Sequence, residues 1–391
     1  MYIGLTEEQQ QLRQEVRAYY DKLLTPEVRA KLGGSGGVGP ENRRVVRQMG
    51  EDGWLGVGWP EEWGGRGFTA VEQFIWFDES MRAGAPVPML TINTVGPTIR
   101  SFGTDEQKDF FLPKILKGEI HFCIGYSEAG AGTDLAALTT KAERDGDEYI
   151  INGQKMWTSL ATDADYCWLA VRTNPNVKKH KGISLFVVPM DTPGIKVLPI
   201  SVMGESNINQ VFYEDVRVPA SSRVGEENEG WRLITNQLNN ERVTLCSSGI
   251  VERALDDVRR WAQDTTLPGG TRVIDQEWVQ LSLARVHARL EFLRLMNWKI
   301  ASASAKGELN VADASATKVF GTEFYLEAFR LLMEILGPPS YLREGTTGAV
   351  LHARLENSYR GLIILTFGGG VNEVQRDLIA VFGLGMPLAP R

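Results

Sequence analysis

Two short runs of this chain carry residue types that could hold a cofactor. Residues 125–134 read Gly-Tyr-Ser-Glu-Ala-Gly-Ala-Gly-Thr-Asp, with three glycines and two small hydroxyls in ten positions. Glycine permits positive φ and close approach of a ligand to the backbone, so this run could present N–H groups to a flat or anionic cofactor. Residues 152–159 read Asn-Gly-Gln-Lys-Met-Trp-Thr-Ser, a strand with a large aromatic, ending in hydroxyls that could hydrogen-bond a heterocycle. From these residues alone, a glycine-rich loop before an ordinary strand is the alternative interpretation.

The composition argues against several other kinds of function. The chain has 391 residues and a formal net charge of −7, and the absence of a basic patch argues against nucleic acid as a partner. No apolar run reaches the ~18 residues that would predict a membrane span, and the first residues lack the pattern of a signal peptide. Three widely spaced cysteines and four scattered histidines indicate neither a disulfide framework nor a metal site. We therefore expect a reduced, cytoplasmic protein without a metal.

The elements that must position the two runs change in character along the chain. A capping box at Thr6 and Gln9 starts a first helix that ends before Pro26. Short strand-like runs separated by turns follow from about residue 120, and they suggest a sandwich or barrel. Long helices then imply a bundle. The sequence predicts an α+β fold of three domains: an N-terminal helical domain (1–119), a small β-barrel or sandwich (120–228) and a C-terminal bundle of four-helix type (229–391). The helices predicted for the bundle cover 230–263, 275–306, 311–336, 346–366 and 371–382.

The chain resembles the acyl-CoA dehydrogenase family over essentially its whole length. The family's flavin segment is matched by residues 127–134, with Ala129 where a proline is usual, and its tryptophan strand by 152–157. Five further runs match in the family's order: 58–62, 103–108, 112–113, 215–219 and 370–376. The resemblance implies an FAD-dependent α,β-dehydrogenation of an acyl-CoA thioester. In that reaction a base takes the α-proton and the β-hydrogen leaves as hydride to the flavin.

The resemblance also assigns flavin-binding residues. Ser127 is expected to donate to the pyrimidine side of the ring, and Trp157 to pack against the isoalloxazine face. The alternatives are a helix or turn cap for Ser127 and a core aromatic for Trp157. The residues expected to contact FAD are Ile124, Tyr126, Ser127, Gly132, Thr133, Trp157, Thr158, Ser159 and Glu373.

The catalytic base is the informative departure. Many members carry it as the glutamate of a Tyr-Glu-Gly-Thr sequence near the C-terminus, where this chain has Gly369, which cannot take a proton. A minority of the family carries the base in a Glu-Arg pair on a bundle helix, and this chain has that pair at Glu241 and Arg242. We therefore predict Glu241 as the base, although a solvated helix carboxylate is the alternative. The Gly369 N–H is expected to donate to the thioester oxygen, and Asn239 and Arg242 are assigned to the substrate.

Two departures concern assembly. The family's Arg-x-x-Phe-Gly segment, which reaches a neighbouring subunit's FAD pyrophosphate, is not matched by 265–275, and its Gln-x-x-Gly-Gly-x-Gly segment is not matched by 334–340. A homodimer needs both halves of a site on every copy. A chain with only one half should pair with a paralogue that supplies the other. In this respect, and in its ending at 367–373, the chain resembles the base-bearing subunit of actinobacterial α2β2 acyl-CoA dehydrogenases of steroid side-chain degradation.

That resemblance implies a paralogous partner subunit, a bulky α-methyl-branched steroid-CoA substrate and an electron-transfer flavoprotein as electron acceptor. Two alternatives stay open. One is a homo-oligomeric dehydrogenase of smaller branched acyl-CoAs, in which Arg272 supplies the flavin contact in place of the family's segment. The other is a non-catalytic subunit that only completes a partner's flavin site.

Overall fold

The computed structural model describes residues 4–32, 37–204, 206–241 and 246–387. They fall into two units, one formed by Met1–Leu24, Thr69–Ala85 and Arg242–Arg391 and the other by Thr25–Phe68 and Pro86–Glu241. Helices are α1 (Glu7–Leu23), α2 (Pro26–Leu32), α3 (Pro40–Glu51), α4 (Ala70–Ala83), α5 (Gly96–Phe102), α6 (Asp105–Leu116), α7 (Gly230–Glu241), α8 (Gly249–Asp264), α9 (Glu277–Ala305), α10 (Val311–Leu336), α11 (Arg354–Leu362) and α12 (Asn372–Leu378). Strands are β1 (Phe122–Gly125), β2 (Lys141–Asp145), β3 (Glu148–Ser159), β4 (Tyr166–Arg172), β5 (Ile183–Pro189), β6 (Ile195–Ile200), β7 (Ile208–Pro219) and β8 (Arg223–Val224).

The first unit is helical, and its helices α8 and α9 each bury one face. On α8 and α9 the buried apolar residues recur three or four positions apart, the spacing of one helix face. These residues are Val251, Leu255, Val258 and Ala262 on α8, and Val279, Leu283, Val286, Leu290 and Leu293 on α9. They pack with Phe324 and Leu332 of α10 in one core. The capping box predicted at Thr6 and Gln9 is confirmed at the start of α1.

The second unit is built around one mixed sheet of eight strands, in the order β6-β7-β3-β2-β4-β5-β8, with β1 paired to β4. The β1/β4 and β2/β4 pairs are parallel, and the others are antiparallel. Its core contains Ile151, Phe186 and Val211, all fully buried. The predicted combination of helical segments with a central β domain is confirmed.

The predicted helix 230–263 is wrong in its continuity, because α7 ends at Glu241 and α8 begins at Gly249. Before α8, the hydroxyls of Ser247 and Ser248 donate to the Asp78 carboxylate at 2.7 and 2.8 Å, and the Gly249 N–H donates to it at 3.0 Å. Side chains of this kind compete with helical hydrogen bonding. A Cβ on Gly249 would lie 2.1 Å from the Asp78 carbonyl oxygen, so this position requires glycine.

Among the described residues, no helix combines the length and apolar character needed to cross a bilayer. The same residues contain no cluster of three or more histidine, cysteine or carboxylate side chains suited to a metal ion. All three cysteines are buried and free.

Candidate active site

The glycine-rich loop after β1 is anchored by a buried ion pair. Lys155 Nζ lies 2.7 Å from Glu128 Oε1 and donates to the Tyr126 carbonyl oxygen at 3.3 Å. The Glu128 carboxylate also accepts hydrogen bonds from the N–H groups of Thr139 and Thr140 at 2.7 and 2.9 Å. These bonds connect both ends of the loop to β3, so its backbone is held from the protein side.

Burial and charge act against each other in this pair. Burial alone would raise the pKa of Glu128, but the Lys155 charge and the hydrogen bonds from Lys155, Thr140 and Thr139 lower it to about 2. For Lys155, burial lowers the pKa to about 8 in spite of the nearby carboxylate. The Glu128 carboxylate is therefore ionised throughout the neutral range. In this form it can only accept hydrogen bonds, and it holds the loop by accepting them from Lys155, Thr139 and Thr140.

The opposite side of the loop is open. Ser127, Gly132 and Thr133 are exposed, and Gly132 has a φ of 57°. A Cβ built on Gly130 or Gly132 would meet no atom within 4 Å. The Ser127 carbonyl accepts from the Met156 N–H at 2.8 Å, which places this open face beside the end of β3.

At that end of β3 a bulge turns a tryptophan outward. The β3/β7 register shifts between Lys155 and Thr158, and Trp157 lies in the left-handed region with a φ of 64°. Its side chain is 57% exposed, although tryptophan is usually well buried. Residues held in this backbone region cluster at ligand sites. The predicted alternative of a core aromatic is therefore wrong for Trp157.

Two hydroxyls follow Trp157 in the strand. Thr158 is 1% exposed, and its Oγ1 has no hydrogen-bond partner in the described part of the chain, while Ser159 is half-buried. A buried hydroxyl without a partner costs free energy unless something else satisfies it. The exposed indole of Trp157, the open glycine backbone and the unpaired hydroxyl of Thr158 together suit a flat heterocyclic ligand.

The Tyr126 hydroxyl is hydrogen-bonded within the protein rather than directed at a ligand. Its hydroxyl donates to Gln237 Oε1 on α7 and accepts from Trp168 Nε1 at 2.9 Å. Trp168 Nε1 also lies 3.1 Å from Gln237 Oε1. The Tyr126 hydroxyl is thus committed to the protein, and only its ring or backbone remains for a cofactor. Ile124, in β1, is half-buried in register with Trp168.

The structure brings together the predicted flavin residues of 124–159 in the second unit. Glu241 is the last residue of α7, but its side chain and that of Asn239 lie outside the described residues, as does all of Arg242. Gly369 and Glu373 belong to the other unit, where Gly369 is exposed with a φ of 68° and Glu373 lies in the first turn of α12. The roles of these five residues stay predictions.

Sequence reasoning missed the residues that support the loop, namely Lys155, Glu128, Gln237 and Trp168. Lys155 and Glu128 both lie inside the motifs, but no spacing rule indicates that side chains 27 positions apart form a pair. The alternation of side chains along a strand places Lys155 on one face of the sheet, but it only weakly indicates that this lysine is buried.

Comparison with known proteins identifies the class that this fold and site define. Family models for the acyl-CoA dehydrogenase N-terminal, middle and C-terminal domains match residues 6–119, 123–216 and 228–384. The chain belongs to the acyl-CoA dehydrogenase family. Members of this family are FAD-dependent flavoproteins, so FAD is the cofactor and dehydrogenation of an acyl-CoA is the reaction.

Individual relatives extend over the full length. The chain is 56% identical to acyl-CoA dehydrogenase FadE26 and 49% identical to acyl-CoA dehydrogenase FadE29, both of Mycobacterium tuberculosis, over 100% of each chain. A chain of the ChsE4-ChsE5 complex from Mycobacterium tuberculosis is similar with a TM-score of 0.94, 56% identity and full coverage of both chains. A chain of the Tcur3481-Tcur3483 steroid ACAD is similar with a TM-score of 0.95, 49% identity and full coverage.

The residues described above fit FAD. Trp157 offers a flat apolar surface to the isoalloxazine, the open backbone at Gly130 and Gly132 leaves room beside it, and Ser127 and Thr158 supply hydroxyls. When bound, FAD accepts the hydride of the dehydrogenation. The protein's part is to hold this acceptor and to exclude water from it.

Truncating Trp157 is expected to weaken FAD binding without unfolding the protein. Because the indole is more than half exposed, Trp157→Ala should change the free energy of unfolding by no more than about 0.5 kcal/mol. Loss of an aromatic surface should raise the Kd for FAD about tenfold to a hundredfold, and Trp157→Phe should lose much less. Flavin titration and denaturant unfolding of both variants measure the two quantities. A Kd unchanged in Trp157→Ala would remove this residue from the flavin site.

Proposed function

We propose that this chain is the base-bearing subunit of a heterotetrameric α2β2 acyl-CoA dehydrogenase that acts on a bulky, α-methyl-branched steroid side-chain CoA. The observation that carries the proposal is an asymmetry within the chain. The loop and strand that we assign to its own flavin are ordered and held by hydrogen bonds, whereas the two segments that family members lend to a neighbour's flavin are altered.

The first altered segment follows α10. Gly337 ends this helix with a φ of 69°, and Pro338–Tyr341 form a tight helical turn. Two consecutive prolines have no N–H to donate, so Pro338 and Pro339 cannot supply amide contacts to a cofactor. Ser340 is 2% exposed and points its hydroxyl into the protein, which removes a further polar group from the surface.

The second altered segment lies between α8 and α9. It forms a small hairpin in which Thr266 pairs with Arg272, and the Arg272 guanidinium donates to both Asp275 carboxylate oxygens at 2.9 Å. The one arginine of this segment, which would have to replace the family's pyrophosphate ligand in a homo-oligomer, is therefore paired at the surface with an aspartate of its own chain. This argues against the homo-oligomeric alternative.

Relatives support the heteromer. The 56%-identical chain occurs in a complex named for two components, ChsE4 and ChsE5, and the 49%-identical chain in one named for Tcur3481 and Tcur3483 and described as a steroid ACAD. A paralogous subunit that supplies the missing segments would explain why this chain has lost them.

In the proposed reaction, a small number of residues carry out proton transfer, charge stabilisation and binding. Glu241 takes the α-proton of the thioester, and the Gly369 N–H donates to the thioester oxygen, where enolate charge grows. Asn239 and Arg242 bind the substrate beside the base, and Glu373 contributes to the flavin site. An electron-transfer flavoprotein re-oxidises the enzyme. A non-catalytic role is disfavoured because such a subunit would need neither Glu241 nor an intact flavin loop.

Flavin content and turnover test the proposal. The chain purified alone is expected to hold little FAD, and co-expression with its paralogue should give one FAD per pair of unlike chains. That complex should oxidise a steroid side-chain CoA with a higher kcat/KM than isovaleryl-CoA. One FAD per chain in the protein purified alone would establish the homo-oligomer instead, and preference for the small branched substrate would overturn the steroid assignment.

A further inference from the structure

Lys318, a buried lysine of α10, belongs to neither the flavin motifs nor the proposed base. Lys318 is 2% exposed, and within the described part of the chain its ammonium contacts carbonyl and amide oxygens rather than a carboxylate. Its Nζ donates to the carbonyl oxygen of Gly370 at 2.7 Å, to that of Thr366 at 3.3 Å and to Asn372 Oδ1 at 2.6 Å. All three acceptors belong to one short segment, 366–372, which contains Gly369.

That segment would be very mobile without such bonds. Gly368, Gly369 and Gly370 are consecutive and exposed, with φ of 68° at Gly369 and 90° at Gly370. Three glycines in a row lose more conformational entropy on ordering than any other tripeptide. Lys318 binds the carbonyls on both sides of Gly368–Gly369, and Gln375 Nε2 donates to the Gly369 carbonyl at 3.3 Å.

These bonds leave one donor unused. Within the described part of the chain, the Gly369 N–H makes no hydrogen bond, although the carbonyl of the same residue is held. The loop therefore offers an amide to an external acceptor from a backbone whose ends are fixed. Preorganised donors of this kind stabilise developing negative charge more than mobile donors do.

Keeping an ammonium group at this position is costly. Burial lowers the pKa of Lys318 to about 8, partly offset by the thiol of Cys246 and the carboxylates of Glu373 and Glu323. A methionine would fill the same volume without that penalty. Such a departure from the rule of apolar cores is expected at functional sites.

We propose that Lys318 is a positioning residue of the dehydrogenation, which ties down the Gly368–Gly370 loop so that the Gly369 N–H is held ready for the thioester oxygen. This inference rests on the proposed function. It adds a residue outside the flavin and base motifs, and it explains how a loop that has lost its carboxylate keeps a defined backbone.

Lys318→Met tests the tether directly, with Lys299→Met as the matched control. Lys299 is an exposed lysine of α9 that pairs with Asp313 at 2.8 Å. In Lys318→Met, amide hydrogen exchange of the peptide 364–376 should be about tenfold faster or more, measured by mass spectrometry on the paired holoenzyme. The kcat/KM for acyl-CoA should fall about tenfold to a hundredfold, with FAD content unchanged. The control should change neither quantity.

The pH profile separates positioning from general stability. Only the protonated ammonium can donate all three bonds, so wild-type kcat should fall as pH rises through about 8, the pKa of Lys318 in the folded protein. The protection factor of the loop amides, which corrects for the intrinsic rise of exchange with pH, should fall over the same range. Lys318→Met should lose this alkaline limb and keep a constant lower rate. If the variant does not fold, the pH dependence of loop protection in the wild type still tests the tether, because Lys155, whose pKa is also about 8, donates to Tyr126 and Glu128 and not to 366–372.

Two results would overturn the inference. Unchanged loop exchange in Lys318→Met would show that the lysine does not hold the glycines. Faster exchange with unaltered kcat/KM and an unaltered alkaline limb would show a tether without a catalytic role. If the wild-type complex oxidised no acyl-CoA at all, the proposed function would fail, and the exchange data would still report separately on the tether.

Discussion

Glu241→Gln is expected to abolish most turnover while leaving the flavin in place. Glutamine keeps the shape of the side chain but cannot take a proton, and a general base contributes about a hundredfold to ten-thousandfold to a rate. Gly369 has no side chain that could substitute, so no second base compensates at the position used by other members of the family. Steady-state kinetics on the co-expressed complex, with the flavin absorbance spectrum as the measure of bound FAD, give both quantities.

Glu229→Gln is the matched control, because Glu229 is an exposed carboxylate just before α7, on the same chain segment. It should retain wild-type rate and FAD content. A Glu241→Gln enzyme with unchanged kcat would end the assignment of the base. If the variant lost its FAD instead, Glu241 would belong to the cofactor site rather than to proton transfer.

Local sequence rules were sufficient for much of the fold. Capping boxes start α1, α4 and α6, each with a threonine followed three residues later by glutamine or glutamate. Such signals lie within one turn of chain and depend on nothing distant. The strands of the sheet were likewise indicated by short apolar runs between turns.

Distant contacts explain what the sequence did not indicate. The interruption before α8 depends on Asp78, about 170 positions away, whose carboxylate accepts from Ser247, Ser248 and Gly249. The helical period of 230–263 is continuous in the sequence, so no local rule predicts a break there. The burial of Lys318 could not be predicted either, because a lysine in a helix is expected to be exposed to solvent.

The flavin site shows the same division. Motif resemblance selected Ser127, Gly132 and Trp157 for the proposed flavin site, and the structure exposes all three on the open side of the loop and strand. It assigned Tyr126 as well, although the hydroxyl of that residue is engaged by Gln237 and Trp168. Motifs identify which segments surround a cofactor, whereas the direction of each side chain depends on packing from elements that the motif does not include.

Lys155→Met is expected to have the largest effect on stability. The substitution leaves the Glu128 carboxylate buried without its cation, and breaking a buried pair on one side costs about 3–5 kcal/mol. The loop that carries Ser127 and Gly132 would lose its anchor as well, so FAD binding should fall together with the free energy of unfolding. Denaturant unfolding of the variant and flavin titration of its complex with the paralogue measure the two losses.

The double variant Lys155→Met, Glu128→Leu separates the cost of an unpaired charge from the value of the anchor. Removing both charges should recover part of the unfolding free energy, because no unpaired charge stays buried. It should not recover the FAD affinity, because the bonds to Thr139, Thr140 and the Tyr126 carbonyl are still missing. Recovery of both would mean that the pair serves stability alone.

The same pair predicts how stability responds to acid. Glu128 has a pKa of about 2 in the folded protein against 4.5 when exposed, so its contribution is fully present above about pH 4.5 and is lost as pH falls towards about 2. The unfolding free energy of the wild type should therefore decrease more steeply over this range than that of the double variant, in which this carboxylate is absent. Parallel pH dependences would mean that Glu128 draws no net stabilisation from Lys155, and the anchoring of the flavin loop would then have to come from its backbone contacts to β3.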